Sequence, residues 1–172
     1  MISVLASIAL GLVFSVAIWS KLRSREALSA FVYGLDEFGL ASESWRRFFG
    51  AGALSAEVIA VSLLVMPVQP LLRFGPAAVL LAGFTVAVAV AGRGRPSFAC
   101  HCFGAAESTS ATAHIVINCV LFCLALAGVL VPETSRTSGD SVLAVGLGLI
   151  VGILALTGIP VAEALRPWVR AS

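Results

Sequence analysis

Five long runs of apolar residues, almost free of charge, constrain this chain more than any other feature. They extend from Ile2 to Ser20, Phe48 to Met66, Phe74 to Gly92, Thr112 to Val131 and Ser141 to Val161. A helix needs about 20 mostly apolar residues to cross about 30 Å of hydrocarbon, and each run has that length. Lipid offers no partner for backbone amides, so each run is expected to be a helix that satisfies its own hydrogen bonds. Composition agrees. Of 172 residues, 59% are hydrophobic and 12% are charged, where soluble domains average about 45–50% and about 25%. So few charges cannot cover a water-facing surface, which excludes a soluble globular enzyme and a disordered chain. A net charge of +2 gives no basic footprint for nucleic acid. The expected fold is therefore an all-α integral membrane protein in a single domain over 1–172.

The first run has no basic residues before it and no clear cleavage site ahead of Lys21-Leu22-Arg23-Ser24-Arg25, so it reads as a retained span rather than a secretory signal. One connection is long, Lys21 to Arg47. Its Leu22, Leu28, Phe31, Val32 and Leu35 recur at helical spacing, which predicts an interfacial amphipathic helix broken at Gly39. Lys and Arg concentrate on cytoplasmic loops. With five spans, nine of the 11 basic residues fall on one face, which places the amino terminus outside and the loop after the third span inside.

That loop carries the chemistry: Arg93-Gly-Arg-Pro-Ser-Phe-Ala-Cys100-His101-Cys102-Phe103-Gly104. Two cysteines one residue apart can close a small, strained and easily reduced disulfide, or bind a soft metal. Arg93, Arg95 and a protonated His101 favour thiolate over thiol. Cys100, His101, Cys102 and His114 form an alternative ligand set for Cu(I) or Zn. Cys119 and Cys123, four apart in the fourth run, share one helix face. They read as core packing, with a relay to the loop pair as the functional alternative. His114 and Asn118 also lie one turn apart. The histidine suits a proton shuttle or an interfacial position, and the asparagine suits an interhelical hydrogen bond. Glu57, about ten residues into the second run, is a costly place for a carboxylate. It must be protonated or paired, with Lys21, Arg46 or Arg47 as the available cations, and it could serve as proton acceptor to a thiol or a quinone.

Taken together, the sequence Ser20-Lys21-Leu22-Arg23, Glu57, Cys100-His101-Cys102-Phe103-Gly104 and Asn118 resembles the MauE/DoxX group of redox-associated membrane proteins, the MauE branch in particular. The likeness covers residues 3–131. It implies a four-helix transmembrane core, to which Ser141–Val161 would add a fifth helix, working in thiol–disulfide chemistry with a thioredoxin-like partner. It also implies a setting in methylamine utilisation and methylamine dehydrogenase maturation. Carried onto this chain, Cys100 and Cys102 would be the redox pair, with Lys21, Glu57 and Asn118 supporting them. Outside this class stand two alternatives, a soft-metal binding protein and an accessory subunit of a larger membrane complex. For the latter, Gly146, Gly148 and Gly152 offer a small-residue face for helix association.

Overall fold

A computed structural model of the chain describes residues 2–38, 42–91, 111–131 and 142–156. Among these the regular structure is helical, without a strand. The helices are α1 (Ile2–Leu22), α2 (Arg25–Gly34), α3 (Glu43–Val65), α4 (Pro70–Ala91) and α5 (Ala111–Leu130), joined by α6 (Val142–Leu156). A short 3₁₀ turn, Leu35–Phe38, follows α2. Three of the described helices are long and apolar enough to cross a membrane: Ile2–Leu22, Glu43–Val65 and Pro70–Val90. The apolar helices His114–Leu130 and Val142–Leu156 are shorter.

The charges that bound the apolar runs do not bound the helices. Helix α3 begins at Glu43, ahead of Phe48, and the extra turn is held by Arg47 Nη2 donating to Glu43 Oε1 at 2.5 Å, one turn apart. Helix α4 begins at Pro70, because a proline at the first helical position sacrifices no intrahelical hydrogen bond. Hydroxyls inside the apolar helices turn back onto their own backbones: Ser7 donates to the Ser3 carbonyl, Ser20 to Ala17 and Thr85 to Leu81. No hydroxyl among these three is left facing hydrocarbon unsatisfied.

Between the first two long helices, α2 starts at Ser24, whose side chain accepts from the Ala27 backbone N–H at 3.1 Å. The same hydroxyl hydrogen-bonds the Glu26 carboxylate and holds its pKa below the usual 4.5. Of the apolar residues expected on one face, Phe31 turns inward, together with Ala27, while Leu22 and Leu28 stay exposed. The helix stops at Gly34, short of Gly39, which lies outside the described residues.

Helix α1 packs on α3 and α5, α3 packs on α4, and α4 on α5. Their shared core is built from Ala6, Leu10, Val13, Phe14, Ala60, Leu64, Phe74, Ala77, Leu81, Leu121 and Ala125. Many of these residues are small, and the backbones approach closely where they lie. A Cβ on Gly128 of α5 would fall 2.9 Å from the Phe74 ring of α4. Helix α6 docks on α1 in the same way. A Cβ on Gly148 would meet the Leu5 carbonyl oxygen at 2.9 Å, and one on Gly152 would meet Leu12 Cδ2 at 2.8 Å. These two glycines form a Gly-x-x-x-Gly pair. Gly146 has open space around it. The small-residue face of α6 thus serves contact within the chain at Gly148 and Gly152.

Candidate functional site

Lys21, at the last turn of α1, and Glu57, in the middle of α3, are both 1% exposed. Lys21 Nζ donates to Glu57 Oε1 at 2.5 Å. A lone charge at either position would be prohibitive in an apolar interior, and each group neutralises the other. Two aromatic rings complete the surroundings of the ammonium. Phe31 of α2 lies 5.0 Å and Phe84 of α4 5.9 Å from Nζ, both at cation–π distance. Four helices therefore converge on one amino group. The second carboxylate oxygen, Glu57 Oε2, is buried and has no hydrogen-bond partner among the described residues.

The other two cations available to Glu57 are engaged elsewhere. Arg46 pairs with Asp36 at 3.1 Å and Arg47 with Glu43. Helical rise explains the choice. Arg46 lies on the same helix as Glu57, about 16 Å along its axis, beyond side-chain reach.

Asn118 and His114 on α5 are 5% and 3% exposed. The Phe74–Gly128 contact fixes α4 and α5 as antiparallel neighbours. Counting ten residues from that contact along each helix arrives at Phe84 on α4 and Asn118 on α5, both about 15 Å away. Asn118 thus stands level with the ring that covers Lys21. His114 lies one turn nearer the N-terminus of α5. Its burial removes the expectation of a histidine facing water or headgroups.

Cys119 and Cys123 do share a face, as their spacing predicts, but it is the exposed one. The interior of α5 is taken by His114, Asn118, Leu121, Ala125 and Gly128, and the cysteines point away with Val116 and Val120. Their reading as core packing is corrected accordingly. Cys100, His101 and Cys102 lie outside the described residues. In the chain they fall between the C-terminus of α4, whose Phe84 ring lies by Lys21, and the N-terminus of α5, which carries His114 and Asn118. Among the described residues no group of three or more His, Cys, Asp or Glu could hold a metal.

Phe31 and Phe84 are the site residues that sequence reasoning missed. Phe31 carried a signal, as an apolar position on the amphipathic helix. Phe84 carried none, being one of ten phenylalanines, set in an unbroken apolar run.

A helical assembly with membrane-length apolar helices and a buried cation–carboxylate pair defines a polytopic membrane-type protein with a polar interior site. The chain belongs to the family described as methylamine utilisation protein MauE, whose model matches residues 1–131. No similar curated protein and no similar solved structure was found.

Proposed function

We propose that this chain is a membrane thiol–disulfide redox protein with Cys100 and Cys102 as the exchanging pair. Helices α1, α3, α4 and α5 form its four-helix transmembrane core and α6 adds a fifth. The observation that carries this reading is the buried Lys21–Glu57 pair, with His114 and Asn118 buried on α5, the helix that follows the two cysteines in the chain. Membership of the MauE family supports it.

In the reducing direction, a thiolate of a thioredoxin-like partner attacks the Cys100–Cys102 disulfide. A mixed disulfide forms as one loop sulfur leaves. The partner's second thiol then attacks the mixed bond, yielding an oxidised partner and two loop thiols. Two electrons and two protons pass to the loop, and both return to an acceptor, a quinone in the membrane, when it is reoxidised. In this reading Glu57 and His114 carry those protons. In the reverse direction the same steps deliver a disulfide to the partner, as maturation of methylamine dehydrogenase would require.

The amino terminus lies outside and the cysteine loop on the cytoplasmic side, following the bias of basic residues. Exposed Trp19, Tyr33 and Trp45 near that basic region suit a membrane interface.

The test is differential alkylation of the purified protein in reducing and oxidising buffers. Cys100 and Cys102 are expected to change state together. If they never do, the reading is wrong.

A further inference from the structure

Helices α2 and α3 enclose an open groove of about 430 Å³ that the redox reading leaves unused. The size falls within the range of about 300–1,000 Å³ typical of small-molecule sites. Leu28 and Val32 of α2 line it on one side, and Gly50, Ala51 and Leu54 of α3 on the other. Gly50 lets the helices come together there, since a Cβ would lie 3.3 Å from Val32 Cγ2. At the rim stand Arg25 and Arg47, both exposed, with Glu43 holding Arg47. The rim therefore keeps a net positive charge above an apolar floor. At the same level of α3, on its other faces, Trp45, Phe48 and Phe49 form an exposed cluster, with ring centroids 5.8–6.0 Å apart. Exposed aromatic side chains of this kind gather at the level of lipid headgroups.

We infer that this groove binds an anionic phospholipid, with the headgroup phosphate between Arg25 and Arg47 and one acyl chain along Leu28, Val32, Ala51 and Leu54. The pairing of a basic rim with an apolar trough matches a charged head joined to a chain. It matches neither a free anion nor a neutral lipid. Basic pockets beside membrane helices recognise anionic headgroups on these terms, and a bidentate guanidinium suits phosphate. The inference is independent of the thiol chemistry and stands or falls without it.

The experiment is native mass spectrometry of the full chain in detergent, with equal amounts of phosphatidylglycerol and phosphatidylcholine of the same acyl length. The attraction of one basic residue for anionic lipid corresponds to about fivefold in affinity. The wild type is expected to retain phosphatidylglycerol by at least that factor. R25Q/R47Q should abolish the preference, and A51F should lower retention of the lipid while leaving both arginines in place. R23Q, an exposed arginine outside the groove, should change nothing. Equal retention of the two lipids by the wild type overturns the proposal. So does a loss in R23Q as large as in R25Q/R47Q, which would indicate diffuse attraction. Complete competition by glycerol 3-phosphate also overturns it, because the site would then need no acyl chain.

Discussion

Lys21 and Glu57 are joined across the interior from helices α1 and α3, and each is the other's only ionic partner among the described residues. Replacing Lys21 by Met leaves Glu57 buried without its counter-charge, a change expected to cost about 3–5 kcal/mol. Replacing both residues with apolar ones of similar volume, K21M/E57L, should recover most of that loss. Thermal unfolding in detergent of the wild type, both single variants and the double variant measures it. Additive losses would show that the two residues do not act as a pair.

The docking of α6 on α1 gives a contrast between two glycines in one helix. Gly148→Ala pushes a methyl group onto the Leu5 carbonyl, a backbone atom that cannot step aside, and should destabilise by about 1–3 kcal/mol. Gly146→Ala meets nothing within 4 Å and gains helix propensity. Unfolding midpoints should fall for the first and hold or rise for the second. Equal effects would exclude this interface.

At the start of α2, the Ser24 hydroxyl holds the Glu26 carboxylate below 4.5. Because the folded value is the lower one, its contribution is present above the unfolded pKa and fades as pH falls through the folded pKa. Ser24→Ala should raise the Glu26 pKa toward the ordinary carboxylate range, the backbone hydrogen bond at Glu26 still holding part of the shift. It should also weaken the helix start by about 1 kcal/mol, because Ala27 loses its cap. A carboxyl NMR titration of both proteins reads the shift directly, and an unchanged Glu26 in S24A would refute the cause.

Cys119 and Cys123 face outward from α5. In folded protein in detergent, a small membrane-permeant maleimide should label both without denaturant. C119S/C123S should keep the coupled change of state proposed for Cys100 and Cys102. Loss of that coupling would return the helix pair to the redox pathway.

The apolar runs were legible because lipid admits few backbone structures, so length and charge alone locate the helices. Their ends were not, since Glu43 and Pro70 start helices for reasons of side-chain pairing and backbone geometry that hydropathy does not register. The polar residues Lys21, Glu57, His114 and Asn118 stood out because each is expensive in an apolar run. Which cation would meet Glu57 depended on the approach of a second helix. The face of Cys119 and Cys123 was hidden for a related reason. Beyond His114 and Asn118, helix α5 carries apolar or small residues on every face, so with hydrocarbon as the surrounding solvent hydropathy separates its inside from its outside poorly.

The seat of α6 on α1 orders events during synthesis. Helix α1 is made well before α6, and Gly148 and Gly152, which approach Leu5, Ile8 and Leu12, arrive more than a hundred residues later. Until then the part of α1 that seats α6 lacks that partner. The family match stops at residue 131, so α6 lies beyond the matched region. A chain stalled before α6 would therefore lack the contacts that Gly148 and Gly152 make with α1.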